Sequence, residues 1–137
     1  MFQELTLVGH LGGEPEMKYL ASGTAVTNFS VATNNNYTNQ QGQKVSETTW
    51  FRVAAWGKLG ENCNQYLKKG SRVLVKGMLQ PDKTTGSPKT FQRNDGTVGA
   101  SYEVKANSVL FLSTAVDESG ETVVEEVVDD LADSFVL

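Results

Sequence analysis

Thr48-Thr49-Trp50-Phe51-Arg52-Val53-Ala54-Ala55-Trp56 sets two kinds of side chain in alternation. A period of two is that of a β-strand, whose successive side chains point to opposite faces. Phe51, Val53 and Ala55 make one apolar face, and Trp50, Arg52, Ala54 and Trp56 make the other. In a small barrel only one face of a strand points inward. With Phe51, Val53 and Ala55 inside, two indoles and a guanidinium point out. Large exposed aromatic surface needs a cover, and the guanidinium between the indoles argues against a dry one. A nucleobase fits: its stacking on an aromatic ring is worth about 1–3 kcal/mol, and the arginine adds phosphate or stacking contacts. A loop or a neighbouring subunit over the indoles is the alternative.

The flanking sequence supplies the rest of a barrel. Residues 5–11 are β-rich and stop at Gly12-Gly13. Residues 24–33 alternate, with Ala25, Thr27, Phe29 and Val31 on one face. Residues 34–47 are polar and predict a long hairpin loop. Residues 58–68 change to helical period through Leu59, Cys63, Tyr66 and Leu67, and Lys68-Lys69-Gly70 is a helix stop with cations at the negative dipole end. Residues 72–79 alternate again, 81–100 predict a second long loop, and 101–112 form a last strand. The order is three strands, a helix between the third and fourth, then two more strands. That is the order of an all-β, five-stranded OB-fold barrel, although other small β folds with one helix share it.

The 137 residues hold one cysteine, Cys63, and one histidine, His10. This excludes an internal disulfide and Cys-rich zinc sites, and nearly excludes His–Cys catalytic pairs, so neither an enzyme nor a bound metal or cofactor is expected. No apolar run approaches the ~18 residues of a membrane span, and no secretory leader is read at the start. The net charge of −4 conceals a division. All twelve Lys and Arg lie between Lys18 and Lys105, against eight acids in residues 1–112, which leaves that body at +4. Residues 113–137 carry eight acids and no base. The expected organisation is a domain over 1–112 and an acidic, disordered tail over 113–137, either solubilising or functional.

Other aromatics fall in the loops. Tyr37 opens the first, and Phe91 lies in the second between Lys89 and Arg93. Lys18, Lys44, Lys58, Lys68, Lys69, Lys83, Lys89 and Arg93 frame them. Aromatics interleaved with cations in polar loops suit a flexible single strand, because a duplex hides the base faces that stacking needs.

On these motifs, residues 5–112 resemble the bacterial single-stranded DNA-binding protein family. Leu7-Val8-Gly9-His10-Leu11-Gly12-Gly13-Glu14-Pro15-Glu16 is similar to its opening signature, with Glu14 for the usual Asp. Trp50-Phe51-Arg52-Val53 with Trp56-Gly57-Lys58-Leu59, and Tyr66-Leu67-Lys68-Lys69-Gly70-Ser71, match its third strand and its helix ends. The resemblance implies a cytoplasmic, nucleoid-associated homotetramer that wraps single-stranded DNA in replication, recombination and repair. It implies contact roles for Trp50, Trp56, Arg52, Lys58 and Lys69, and places Tyr37 and Phe91 near positions where many members carry Trp. Leu5, Leu7 and Val109 are the expected subunit contacts. Family tails end in acids followed by Pro-Phe and dock onto genome-maintenance proteins. Here Asp129, Asp130 and Asp133 precede Ser134-Phe135-Val136-Leu137, so the acids, Phe135 and Leu137 are the expected partner-binding group. Val124, Val128, Leu131 and Phe135 also recur at helical spacing. A catalytic OB protein and an RNA-binding or adaptor OB module remain as rivals.

Overall fold

Strands with one apolar face bury it most completely by curling into a closed ring, which also removes the unpaired sheet edges. The computed structural model, which describes residues 1–116 and 122–126, shows such a ring. The elements in order are β1 (Leu5–Leu11), β2 (Glu16–Tyr19), β3 (Ala25–Thr38), β4 (Lys44–Trp56), α1 (Gly57–Tyr66), β5 (Arg72–Leu79), β6 (Thr90–Gln92), β7 (Val98–Ala100), β8 (Tyr102–Val116) and β9 (Thr122–Glu126). β1, β5, β8, β4 and β3 are hydrogen-bonded in that cyclic order, and β1 returns to β3 to close the barrel. β1 manages both contacts by pairing with β5 from Leu5 to His10 and with β3 at His10 and Leu11. The β4–β8 pairing is parallel, from Phe51↔Tyr102 to Ala54↔Lys105, and the other pairings of the ring are antiparallel. No helix among the described residues is long and apolar enough to cross a membrane.

The core is built from the alternating valines Val31, Val53, Val73, Val75, Val104 and Val109, with Phe29 and Phe111 filling the larger gaps. α1 seats Cys63 on the core, and Leu67 follows it there from just past the helix end. The Thr27 hydroxyl, wholly buried, donates to the Gly60 carbonyl at 2.6 Å and pins the helix to β3. As expected, the apolar face of β4 turns inward: Val53 and Ala55 are buried, and Phe51 packs on the core from its rim.

Several expectations are corrected. The polar stretch 34–47 is not a loop: β3 and β4 stay paired out to Thr38↔Lys44. Its short turn is tied by Asn39, whose Oδ1 accepts from the backbone N–H of Gln41 and Gln43. The ladder formed over the core continues into residues of poor strand propensity, because each further pair needs only the register already set. The stretch 81–100 contains the β6–β7 hairpin, whose turn is held by Asp95 Oδ1 accepting from the Thr97 N–H and hydroxyl. Leu7 and Val109 are buried in the barrel and Leu5 packs against its core, so none of them supplies a free face for another subunit. Beyond residue 112, β8 runs on to Val116 and pairs antiparallel with β9. Val124 is therefore in a strand rather than on a helix. Asp129, Asp130, Asp133, Phe135 and Leu137 lie outside the described residues.

Burial raises the Cys63 thiol from its ordinary 9.0 to about 12. Between those values the unfolded chain releases a proton that the folded chain keeps, so stability falls as pH rises through that window. The urea midpoint should hold from pH 7 to 8 and decline above about pH 9. In a Cys63→Ala variant this part of the decline should vanish. An equal decline in the variant would show that other groups cause it.

Candidate nucleic-acid interface

The outward positions of the β3–β4 ladder form rows across the barrel wall. Ala32 is opposite Trp50, Ser30 is opposite Arg52, and Val26 is opposite Trp56. Trp50 is 53% exposed and Trp56 39%. The Trp50 ring lies against Gly12, where a Cβ would collide with its six-membered ring, so glycine is what lets the β1–β2 turn serve as a seat for the indole. The Arg52 side chain is exposed and makes no hydrogen bond or ion pair among the described residues. The Trp50–Arg52 ridge stands between two open clefts. One, of about 580 Å³, runs along Gly12, Gly13, Glu14, Glu16, Asn28 and Ser30. The other, of about 470 Å³, runs along Thr48, Thr49, Ala100, Ser101 and Tyr102. An aromatic plate with a free cation beside it and open space on both sides can take a flat π-system and an anion together.

Trp56 sits in a second row, Lys18–Val26–Trp56, that crosses β2, β3 and β4. Val26, directly opposite Trp56 and beside the strand residue that α1 is tied to, is only 4% exposed although its parity points outward. Trp56 therefore has a packing duty as well as an exposed ring. Lys58 follows directly on α1 and meets Glu61 at 3.9 Å, a loose surface pair that leaves the ammonium available. The backbone N–H of Lys69 donates to Glu14 Oε1 at 3.2 Å, fixing the Lys68-Lys69 turn beside the first cleft.

Two expected aromatics stand apart from this group. Tyr37 is opposite Val45, five ladder rows beyond Trp50, which is roughly 16 Å along the hairpin. By alternation it lies on the other face of the ribbon. Its hydroxyl donates to Glu47 Oε1 at 3.1 Å, and that bond and the carboxylate's charge raise the phenol above its ordinary value. Lys44 closes the same hairpin tip, opposite Thr38. Phe91 is opposite Gly99 on the β6–β7 hairpin, where a Cβ on the glycine would strike both the Phe91 ring and the Arg93 guanidinium. That guanidinium lies 5.5 Å from the Phe91 ring centroid and donates to the Val98 carbonyl at 3.1 Å. One face of the ring is thus already covered by a cation held within the hairpin. Lys89, at the foot of the hairpin, meets Glu103 at 4.0 Å.

Tyr102 joins this surface although its sequence context does not mark it as a contact. It is 58% exposed, its ring is 5.7 Å from Phe51, and it lines the second cleft. The available signal was an aromatic opening the last strand. Glu14, Glu16 and Asn28 line the first cleft without a sequence signal, since neither carboxylates nor a lone amide advertise a polyanion site.

With this geometry, the comparisons with known proteins agree on one family. The single-strand binding protein family matches residues 2–112. The chain belongs to that family. Among its curated members, the single-stranded DNA-binding protein of Neisseria meningitidis is 37% identical over 123 residues, 90% of this chain and 67% of the relative. Single-stranded DNA-binding protein 1 of Chlorobaculum tepidum is 43% identical over 90 residues, 63% of this chain and 56% of the relative. The Xanthomonas campestris protein is 39% identical over 109 residues, 80% of this chain and 59% of the relative. The chain therefore spans between 56% and 67% of the length of these three relatives. Among solved family structures, the Plasmodium falciparum SSB complex with ssDNA superposes with a TM-score of 0.66 at 26% identity, covering 82% of this chain and 96% of that one. The small single-stranded DNA-binding protein of Streptomyces coelicolor, at 24% identity and a TM-score of 0.64, covers 78% of this chain and 91% of its own and shares the fold.

Proposed function

We propose that this chain binds single-stranded DNA without strong sequence preference. It does so as a homotetramer that wraps the strand and protects it during replication, recombination and repair in a cytoplasmic, nucleoid-associated setting. The observation that carries the reading is the exposed Trp50 ring seated on Gly12 beside Arg52, whose side chain has no partner among the described residues. Family membership and the likeness to a solved complex with single-stranded DNA support it. Assembly is supported by the outer row Val8–Leu74–Leu110 across β1, β5 and β8, an apolar strip that a second copy would cover. Recruitment of genome-maintenance partners is assigned to Asp129, Asp130, Asp133, Phe135 and Leu137, on the charge of the tail and its acid-then-phenylalanine order.

The test is a salt series on oligo-dT, with RNA and duplex competitors. Affinity should fall with a log–log slope of about −0.7 per phosphate neutralised, and Arg52→Ala should make the slope shallower by about one such step. Duplex should compete poorly. Binding indifferent to salt, or duplex bound as tightly as oligo-dT, would sink the reading.

A further inference from the structure

Aromatic plates and open clefts alternate along this surface. The Trp50–Arg52 ridge separates the first cleft from the second. Tyr102 lines the second cleft and also a third hollow, of about 270 Å³, formed with Leu79, Pro81 and Pro88, so it stands between the two. Phe51 is opposite Tyr102, which leaves Trp50 and Tyr102 one residue and one strand apart, roughly 6 Å between backbones. Tyr102 has the inward parity of Phe51, and its place at the start of β8, on the barrel rim, is what leaves it open. Its ring leans on Phe51 and is still more exposed than that of Trp50. Its hydroxyl has no hydrogen-bond partner among the described residues.

Resting on the function proposed above, we infer that Tyr102 is a further stacking platform for a nucleobase. A bound single strand then runs from Trp50 through the second cleft and over the barrel rim onto Tyr102. The chemistry of the cleft favours this occupant. Thr48, Thr49 and Ser101 supply polar walls, Arg52 supplies a cation, and no carboxylate lines it. An apolar protein partner would have to bury that charge and those hydroxyls dry, whereas a nucleotide brings a flat ring for Tyr102 and a phosphate for Arg52. Glu103, the acid of the third hollow, is met by Lys89 at 4.0 Å. Phe51 behind the ring holds it in place, so little side-chain freedom is left to lose when a base stacks on it. Stacking needs a flat face rather than a particular base edge, so the contact serves every base.

The test measures wild type, Tyr102→Phe and Tyr102→Leu on oligo-dT at one salt concentration, with urea midpoints alongside. Leucine keeps an apolar contact for Phe51 but offers no π-face; phenylalanine keeps the ring and loses only the hydroxyl. Tyr102→Leu should weaken binding by roughly fivefold or more, the lower end of the stacking range, while Tyr102→Phe stays close to wild type. In the wild type, irradiation of an iodouracil-substituted oligo-dT should attach the base to Tyr102, read by peptide mass. Wild-type affinity in a folded Tyr102→Leu would overturn the inference. An equal loss in both variants would place the effect on the hydroxyl and overturn it too. Should Tyr102→Leu fail to fold, the absence of a wild-type crosslink at Tyr102 would do the same. In each of these cases wild-type binding to oligo-dT leaves the proposed function standing; its failure to bind would bring down both.

Discussion

Replacing Trp50 with alanine is expected to weaken oligo-dT binding by about 1–3 kcal/mol, the general range for a base stacked on an aromatic in single-strand binding proteins rather than a value derived from this geometry. The loss should leave stability nearly untouched, because the ring is half exposed and rests on a turn. Trp56→Ala should also weaken binding, but it should destabilise the fold as well by uncovering Val26. The chain has two tryptophans, so each single variant leaves one reporter. Fluorescence of Trp50 in Trp56→Ala, and of Trp56 in Trp50→Ala, should be quenched as oligo-dT is added. Unchanged affinity in both variants, with circular dichroism intact, would remove the outward face of β4 from the binding surface.

The largest expected loss of stability is at the opposite face of the same ladder. Phe29 is buried and directly opposite Val53 on the inner side of β3–β4. Truncating it to alanine removes a ring from the middle of a closed barrel whose walls are hydrogen-bonded all round and cannot collapse far to fill the gap. A cost of about 3–5 kcal/mol is expected, a large part of the roughly 5–15 kcal/mol that holds a typical domain folded. Ser30→Ala, one residue on and exposed, should change the urea midpoint little. A similar loss in both variants would contradict the assignment of faces on which the whole site rests.

That assignment was legible early because a period of two is local. Trp50 to Trp56 needs no knowledge of the rest of the chain to sort its side chains, and Val53, Ala55 and Phe29 all turned inward as read. Counting periodic segments is enough to read five barrel strands and a helix after the third along the chain, the order of an OB-fold barrel. What escaped depends on distant partners. Asn34, Asn35 and Asn36 are poor strand formers and are strand because β4 is in register beside them. Tyr37 falls with the tryptophans only if residues 34–47 are a loop; as part of an extended ladder it is far from them and bonded to Glu47. The β6–β7 hairpin was announced by Asn94-Asp95-Gly96, a turn sequence hidden inside a stretch rich in other turn residues. Leu5, Leu7 and Val109 have the same alternation whether a face meets the core or another subunit, so the pattern alone misplaced them. The apolar strip that does face out, Val8–Leu74–Leu110, is read only from cross-strand register.

The parallel pairing of β4 with β8 also governs when this barrel can come into being. Phe51 to Ala54 wait for Tyr102 to Lys105, about fifty residues later in the chain. The antiparallel hairpin of β3 and β4 needs only its own short turn and can form early, in the microsecond range of about 1–10 μs typical of hairpins. Ring closure must bring together segments far apart in sequence, which places the domain among topologies that fold in roughly milliseconds to seconds. During synthesis at about 5–20 residues per second, the interval between making Ala54 and making Lys105 is some seconds long. Throughout it, the outer edge of β4 is an unpaired strand edge open to another chain. The parallel seam is therefore the part of this molecule most in need of protection while it is being made.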